Sequence, residues 1–265
     1  MSVHVNRTGR GPRLVLLHGW ALNSHVWDDV LPALAERFTL DCVDLPGHGS
    51  SDWLPEITDL DSLVGAIAPV LGDRCHVLGW SLGALVALHL TARHAAHVER
   101  LVLVAATPKF VADDSWTAAM SPAALRQFAT RLEQDYRGTV QEFLALQVRG
   151  DERAHAALRT LRRRVLAAGE PDPRALSVGL DVLRDADLRA DLPRVRVPTL
   201  VIAGERDSIV PVAASEALAA SLPSARARLI RGAAHAPFLS HADEFCAEVY
   251  GFLAHAELPL AESAS

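Results

Sequence analysis

Residues 76–84 read His-Val-Leu-Gly-Trp-Ser-Leu-Gly-Ala. This stretch predicts a strand, a sharp turn with Ser81 at its apex, and a helix that runs to about Arg93. Such a turn holds its central residue in strained backbone geometry and lifts the hydroxyl above the sheet. Gly79 and Gly83 are expected to be required, because a Cβ at either position would collide with a neighbouring strand or helix. Ser81 is therefore a candidate nucleophile, and the alternative is an ordinary glycine-rich turn.

The composition excludes several classes of protein. A length of 265 residues, 50% of them hydrophobic, predicts one large α/β domain with an insertion. The formal net charge of −6 argues against binding to nucleic acid or to an anionic membrane. The three cysteines are scattered through predicted core elements and do not suggest a disulfide framework. With no apolar run of 18 residues and no apolar core of a signal peptide, we expect a cytoplasmic protein.

A second loop is predicted to face the serine. The apolar run at 13–17 predicts a buried strand, and it ends in His18-Gly19-Trp20. In proteins with a serine at such a strand–turn–helix elbow, a His-Gly pair after an early strand supplies one amide of an oxyanion hole. Here that amide is expected to be the backbone N–H of Trp20. The backbone N–H of Leu82 supplies the other. The Trp20 ring either walls an acyl pocket or packs in the core, and His18 is expected to shape its loop.

Strands and helices alternate through most of the chain, apart from one long interruption. Further strands are predicted at 39–45, 75–80, 100–106, 198–204 and 226–230, and further helices at 24–37, 58–71, 212–221 and 241–254. Residues 109–190 contain no convincing strand and predict helices at about 121–135, 138–149, 151–168 and 173–185. An all-helical insertion between two strands predicts a lid over the C-terminal edge of the sheet. The core is thus predicted at 1–108 and 191–257, the lid at 109–190, and a frayed tail at 258–265.

A base and an acid are predicted downstream of the serine. A serine hydroxyl needs a base within hydrogen-bond reach, and that base needs an orienting carboxylate. With the order serine, acid, histidine, the acid at the end of a strand is Asp207 and the base in the loop after the next strand is His235. Glu205 and His241 are the alternatives. Asp207 as a turn or cap residue, and His235 as a loop histidine without catalytic function, also stay open.

These residues predict acyl transfer. His235 takes the proton of Ser81, Ser81 attacks an ester carbonyl, and water then hydrolyses the acyl-enzyme. A serine at the elbow argues against dehalogenase and epoxide-hydrolase chemistry, which uses an aspartate there. The chain has no metal-ligand spacing, no G-x-G-x-x-G and no Walker loop, so no cofactor or metal is expected.

Several motifs together resemble those of one family. The segments are His18–Trp27, Asp44–Ser51, Gly79–Gly83, Phe143–Gln147 and Ala234–His241. They look like the pimeloyl-[acyl-carrier protein] methyl ester esterases of biotin synthesis, which have the α/β-hydrolase fold with a mostly parallel sheet flanked by helices. The Gly-Trp pairs at 19–20 and 79–80 and the Phe-Leu-Ala-Leu-Gln of 143–147 are the more particular motifs.

The resemblance implies an activity and a set of site residues. The reaction is hydrolysis of the methyl ester of pimeloyl-carrier protein, which releases methanol. The implied catalytic residues are Ser81, Asp207 and His235. The residues implied to bind substrate are Trp20, Ser81, Leu82, Phe143, Leu144, Ala145, Leu146, Gln147 and His235.

The resemblance also implies that arginines of the lid dock the carrier protein. The candidates are Arg149, Arg153, Arg159, Arg162 and Arg163, with Arg164 beside them. A basic segment in an acidic protein suits an acidic carrier. A solvated helix face is the alternative, because cations are favoured near a helix C-terminus in any case. Gly138 and Glu142 lie where members of the family tend to be more basic, so the docking surface is expected to be partly rebuilt.

Two rival functions stay open at this point. The first is a generalist short-chain esterase, a lactonase or a C–C bond hydrolase that uses the same triad, since pocket shape decides among these. The second is a non-catalytic ligand-binding protein that kept the fold. We expect the chain to be a monomer whose one partner is the carrier protein.

Overall fold

The architecture is a single seven-stranded sheet with helices around it. The computed structural model describes residues 3–151 and 153–254. The strands are β1 (Val5–Gly9), β2 (Arg13–Leu17), β3 (Thr39–Val43), β4 (Cys75–Trp80), β5 (Val98–Val104), β6 (Thr199–Gly204) and β7 (Ala225–Ile230). Their order in the sheet is β1-β3-β2-β4-β5-β6-β7, and every neighbouring pair is parallel except β1 with β3. The mostly parallel sheet predicted from the sequence is confirmed.

The central strands carry the core. Every residue of β4 and of β6 is buried, and β2 is buried from Leu14 onward. Continuous burial is expected of parallel strands that are covered on both faces. The carboxyl ends of these strands therefore meet at one edge of the sheet, and β4 delivers Ser81 to that edge.

One strand has no counterpart in the sequence prediction. Strand β1 pairs antiparallel with β3, with Val5 opposite Val43, and its residues from Asn6 to Gly9 are exposed. An exposed edge strand of polar residues shows neither an apolar run nor an alternation of apolar and polar residues. For that reason no pattern of hydrophobic residues predicted this strand.

The helices follow the prediction closely, with two exceptions. They are α1 (Leu31–Ala35), α2 (Leu60–Leu71), α3 (Leu82–Arg93), α4 (Pro122–Gln134), α5 (Tyr136–Leu146), α6 (Ala154–Ala167), α7 (Pro173–Asp185), α8 (Val212–Ser221), α9 (Pro237–Ser240) and α10 (Ala242–Ala254). The continuous helix predicted over 24–37 was wrong, because a 3₁₀ turn at Ser24–Trp27 precedes α1. Pro32 has no N–H to continue a helix from that turn. The short helix α9 lies in a segment predicted as loop.

The helices α4 to α7 form one insertion between β5 and β6. Within the described part of residues 109–190 the only extended pairings are isolated bridges, Val111 with Met120 and Asp113 with Trp116. The N–H of Leu188 donates to the carbonyl of Pro108 at 2.9 Å, which closes the base of the insertion. The N–H of Asp172 donates to the carbonyl of Gly47 at 2.7 Å and ties α7 to a loop of the sheet. The predicted tail at 258–265 lies outside the described residues.

Candidate active site

The turn at Ser81 has the geometry of a strained elbow. Ser81 lies between β4 and α3 with φ 56° and ψ −117°, a left-handed conformation that is unusual for a residue other than glycine. A Cβ on Gly79 would lie 2.2 Å from the carbonyl oxygen of Gly83, and one on Gly83 would lie 2.3 Å from that of Leu17. The two glycines therefore let α3 fold back against β4 and β2. The side chain of Ser81 is held at the carboxyl edge of the sheet by this close packing.

A buried histidine and a buried carboxylate lie at the same edge. His235 Nδ1 donates to Asp207 Oδ2 at 2.8 Å, and the two side chains are 0% and 1% exposed. Asp207 Oδ1 accepts the backbone N–H groups of Ile209 and Val210 at 2.8 and 2.9 Å, which fixes the carboxylate. His235 Nε2 is buried and bonds to no described residue. Its Nδ1–H therefore faces the carboxylate, and Nε2 is left as the proton acceptor.

The alternative acid and base are engaged elsewhere. Glu205 Oε2 accepts the backbone N–H of Gly232 at 2.9 Å, so this carboxylate ties two loops together. His241 Nδ1 contacts the hydroxyl of Ser240 at 2.7 Å and lies 3.8 Å from Asp151 Oδ2. The structure thus pairs His235 with Asp207 and keeps both alternatives in structural contacts.

The loops that carry the acid and the base are joined to each other and to the insertion. The N–H of Arg206 donates to the carbonyl of Ala233 at 2.8 Å, which links the two loops directly. The N–H of Ala236 donates to the carbonyl of Gln147 at 3.2 Å. The guanidinium of Arg206 donates to the carbonyl of Gly150 at 2.6 Å. The segment after α5 therefore contacts a residue adjacent to each member of the His235–Asp207 pair.

The predicted oxyanion loop lies against the elbow. A Cβ on Gly19 would lie 3.1 Å from the Trp80 ring and 3.4 Å from Ser81 Cβ. The backbone N–H of Trp20 donates to no described residue. Leu82 is the first residue of α3, and the first N–H groups of a helix have no acceptor within it. Neither predicted amide therefore has a hydrogen-bond acceptor among the described residues.

His18 holds this loop in place as a neutral ring. Its Nε2 accepts the N–H of Leu45 at 2.9 Å, and its Nδ1 lies 2.8 Å from the carbonyl of Gly19, to which it donates. Burial lowers the pKa of His18. The adjacent His48, with ring centroids 5.3 Å apart, is also buried, and burial lowers its pKa to about 3. Both rings therefore shape the loops and carry no charge at neutral pH.

The Trp20 ring lies between its own loop, after β2, and the insertion. Its Nε1 donates to the carbonyl of Leu176 at 2.9 Å, and a Cβ on Gly179 would lie 2.7 Å from its Cδ1. Phe143 and Phe128 meet the ring edge-on, at centroid distances of 4.9 and 5.2 Å. The ring is 1% exposed and contributes to the wall of a cavity that also contains Ser81.

That cavity, the serine channel, has a volume of about 240 Å³ and is largely apolar. Phe143 and Leu146 of the segment predicted to bind substrate line it, because they face inward on one side of α5. Leu144 and Gln147 are buried outside its lining, and Ala145 is exposed. The sequence reasoning missed most of the channel, whose remaining lining consists of Phe110, Val111, Met120, Ala124, Leu125, Phe128, Arg131, Arg149, Leu180, Leu183, Ser208 and Ile209. For the lining residues on α4 and α7, the only signal was the apolar face of an amphipathic helix.

The predicted docking arginines fall into two groups. Arg149 lines the serine channel together with Arg131 of α4. Arg153, Arg159, Arg162 and Arg163 are exposed at and along α6. Arg164 is not part of this surface, since it binds Asp29 at 2.8 Å and Asp28 at 3.6 Å. Glu142 binds Arg131 at 3.0 Å, so the acidic residue at this position neutralises a cation of the neighbouring helix.

The described residues contain no cluster of three His, Cys, Asp or Glu side chains that could hold a metal ion. No helix in the described ranges is both long and apolar enough to cross a membrane. Apart from Arg131, Arg149 and Ser208 of the channel lining, the polar side chains described at this edge are Ser81, His235 and Asp207, with the predicted backbone amides of Trp20 and Leu82. Such a set can perform acyl transfer.

Comparisons with known proteins agree with this fold. A family model for the alpha/beta hydrolase fold matches residues 12–242. A hydrolase from Pseudomonas aeruginosa has a TM-score of 0.81 at 29% identity, covering 96% of this chain and 94% of that one. A bromoperoxidase from Bacillus anthracis has a TM-score of 0.89, but at 22% identity over 96% and 95% of the two chains it supports the fold alone.

Relatives at higher identity define the family more narrowly. A pimeloyl-[acyl-carrier protein] methyl ester esterase from Stenotrophomonas maltophilia is 46% identical over 95% of this chain and 96% of its own length. One of the same name from Nitrosomonas europaea is 43% identical over 92% and 96% of the two chains. The chain therefore belongs to the α/β-hydrolase fold family and, within it, to the family of the pimeloyl-[acyl-carrier protein] methyl ester esterases.

Proposed function

We propose that the chain is a serine carboxylesterase that hydrolyses the methyl ester of pimeloyl-[acyl-carrier protein] in biotin synthesis. The observation that carries the proposal is the 2.8 Å bond from His235 to Asp207, at the same sheet edge as Ser81 and beside an apolar channel that Ser81 lines. The family of the chain supplies the identity of the ester.

The proposed reaction begins with Ser81. His235 Nε2 accepts the hydroxyl proton as Ser81 Oγ bonds to the ester carbonyl carbon, and Asp207 stabilises the imidazolium that forms. The backbone N–H groups of Trp20 and Leu82 stabilise the oxyanion, each contributing about 3–4 kcal/mol to transition-state binding. His235 then returns the proton to the departing methanol. A water molecule, deprotonated by His235, hydrolyses the acyl-enzyme and regenerates Ser81.

The environment of the site suits an ester at the end of an apolar chain. Ser81 is 4% exposed and His235 is fully buried, so an ester must enter the serine channel to react. The aromatic rings of Trp20, Phe128 and Phe143 lie within 4.9–5.7 Å of one another and give the channel an apolar wall. An acyl chain gains binding energy there by leaving water.

We further propose that residues 109–190 act as the lid and that its arginines receive the carrier protein. Arg153, Arg159, Arg162 and Arg163 are exposed, so an acidic partner can reach them. Arg149 lies at the serine channel and would meet the arm that links the carrier to the ester.

We also propose a cytoplasmic monomer. Cys42 and Cys75 are buried free thiols and Cys246 is free as well, which suits a reducing compartment. Leu229, at 37%, is the one large hydrophobic side chain counted as exposed in the described ranges. So few exposed hydrophobic side chains in the described ranges argue against an obligate dimer.

The test compares two substrates. The values of kcat/KM are measured for methyl pimeloyl-carrier protein and for a free p-nitrophenyl ester, with Ser81→Ala as the blank. A preference for the carrier-linked ester of at least about a hundredfold supports the proposal, since productive docking adds binding energy. Equal or reversed values would instead favour a generalist esterase. Absence of Ser81-dependent turnover of either substrate would favour a ligand-binding protein.

A further inference from the structure

A second cavity lies next to the serine channel. This cavity, the helix groove, has a volume of about 510 Å³ and runs between α4 and α7. The residues that line both the groove and the channel are Val111, Leu125 and Leu180. A side chain that lines two adjacent cavities is the wall between them. Two leucines and a valine therefore separate Ser81 from a space about twice as large as its own channel.

The wall on the α7 side is held in place by the oxyanion loop. Leu180 follows Gly179, whose α-carbon packs so closely on the Trp20 ring that a Cβ there would lie 2.7 Å from it. The Trp20 indole donates to the carbonyl of Leu176 one turn earlier on the same helix. Because Trp20 belongs to the loop beside Ser81, the position of Leu180 is fixed relative to the nucleophile.

The wall on the α4 side rests mainly on one residue. Leu125 is the buried residue of α4, at 7% exposure, and the rest of the helix is partly or fully exposed. Ser121 caps this helix by accepting the N–H of Ala124 at 3.2 Å, so Leu125 lies in a well-formed first turn. Leu180 is likewise 7% exposed. The two leucines thus line the serine channel from opposite helices, and each also lines the helix groove.

The volumes of the two cavities indicate how this wall affects substrate binding. Pockets for small ligands usually enclose about 300–1,000 Å³. The serine channel, at about 240 Å³, is below that range, and its union with the helix groove would fall well within it. We propose that Leu125 and Leu180 determine the ester specificity of this chain by excluding the helix groove from the active site. This inference rests on the proposed esterase function and adds the substrate class, which is esters of narrow, unbranched acyl chains.

The groove could accept what the channel excludes. Its lining includes the apolar side chains of Pro122, Ala129 and Leu132 beside the wall residues. It also includes the charged side chains of Arg126, Glu133, Asp181 and Arg184. A branched or cyclic acyl group would find apolar contacts there if the wall were removed. With the wall in place, such a group has no room near Ser81 and reacts slowly.

The experiment shortens the wall and measures selectivity. For wild type, Leu125→Ala and Leu180→Ala, kcat/KM is measured with p-nitrophenyl hexanoate and with p-nitrophenyl cyclohexanecarboxylate. We expect the ratio of kcat/KM for the cyclic ester to kcat/KM for the straight-chain ester to rise by about tenfold or more in each variant. A misfit of a few carbon atoms in an apolar pocket changes kcat/KM by about this factor. Leu180→Ala keeps the inference testable if Leu125→Ala does not fold.

The matched control is Leu132→Ala. Leu132 lines the helix groove but not the serine channel, so its truncation enlarges the groove and leaves the wall intact. We expect its selectivity ratio to stay within about twofold of wild type. The inference would be overturned if the selectivity ratio rose as much in Leu132→Ala as in the wall variants, or if it did not rise in folded wall variants. In either case, hydrolysis that depends on Ser81 would still support the esterase function. Hydrolysis that persists in Ser81→Ala would overturn the proposed function and this inference with it.

Discussion

Ser81 is the residue from which the chemistry of the chain is argued, and its replacement gives the most direct prediction. Ser81→Ala should lower kcat by about ten-thousandfold or more, because the residual rate comes only from binding and the oxyanion amides. The variant keeps a Cβ in the same strained conformation, so its thermal midpoint should match that of wild type. Steady-state kinetics with calorimetry on the same preparation checks both. Retained turnover in a folded variant would remove Ser81 as the nucleophile.

The burial of His48 predicts how the free energy of unfolding depends on pH. Burial holds its folded-state pKa at about 3, below the value of about 6.5 expected when unfolded. Between these values the unfolded chain binds a proton that the folded chain does not. The contribution of neutral His48 to the free energy of unfolding is therefore complete above about pH 6.5 and is lost as the pH falls toward 3. His18, whose pKa is also lowered by burial, acts in the same direction.

The variant His48→Asn tests this. Asparagine can still donate to the carbonyl of Pro46, which lies 3.1 Å from His48 Nδ1, but it does not titrate. Between pH 6 and pH 4 the free energy of unfolding should fall less steeply than in wild type, by up to about 1.4 kcal/mol per pH unit. Urea unfolding at a series of pH values measures the slope. An unchanged slope would mean that His48 is protonated in the folded protein.

Single residues also show how far the sequence could predict the site. The pairing of His235 with Asp207 could be predicted because strand ends and chain order restrict the choice to a few residues, and the structure puts Glu205 and His241 in other contacts. The channel lining could not be predicted at that precision. Phe143 and Leu146 face the channel while Ala145 faces outward, and this depends on how α5 is rotated against the sheet.

At the scale of elements, the elbow depends on one helix, α3, that packs against the strands β4 and β2 through glycine. In Gly83→Ala the new Cβ would lie 2.3 Å from the carbonyl oxygen of Leu17 and 2.5 Å from that of His18. Both are backbone atoms that cannot rotate away, so the variant should lose at least about 2 kcal/mol of stability and its esterase activity. Denaturant unfolding and a rate assay measure the two effects.

Gly65→Ala is the control for the same chemical change. Gly65 lies in α2, and a Cβ there would meet nothing within 4 Å. Alanine should raise the stability by up to about 1 kcal/mol, because glycine is the more flexible residue in a helix. Equal effects of the two substitutions would contradict the close approach of α3 to β2.

The elements that the sequence did not predict share a physical cause. Strand β1 is exposed and polar, so it has no hydrophobic pattern, and only its pairing with β3 defines it. The helix predicted over 24–37 is interrupted between the 3₁₀ turn and α1, because Pro32 near the start of α1 has no N–H for a continuous helix, and a pattern of apolar residues does not show this. Buried strands and amphipathic helices have patterns of their own, and these were predicted within a few residues.

For the whole molecule, the distribution of charge predicts how a carrier-linked substrate is recognised. Reversing Arg159 and Arg163 to Glu on exposed positions of α6 should raise KM for methyl pimeloyl-carrier protein by about tenfold, because two attractions become repulsions. The kcat/KM for a free p-nitrophenyl ester should change by less than about twofold, since neither side chain lines the serine channel. Steady-state kinetics with both substrates measures the difference.

The control for this reversal lies at the opposite end of the sheet. Arg196 is exposed and comes just before β6, at the amino ends of the parallel strands, whereas Ser81 follows the carboxyl end of β4. Arg196→Glu changes the net charge without changing α6 and should leave both substrates unaffected. An equal loss with Arg196→Glu would mean that overall charge, and not the lid, governs the encounter.

The contacts of the segment after α5 have a consequence for the cooperativity of the molecule. The carbonyls of Gln147 and Gly150 accept bonds from Ala236 and Arg206, each adjacent in sequence to one partner of the buried histidine–aspartate pair. Lifting this segment would break both bonds at once and expose the amide of Ala236 to solvent. The exchange of that one amide with deuterium therefore reports on how often the insertion opens, and we expect it to slow when an inhibitor occupies the site.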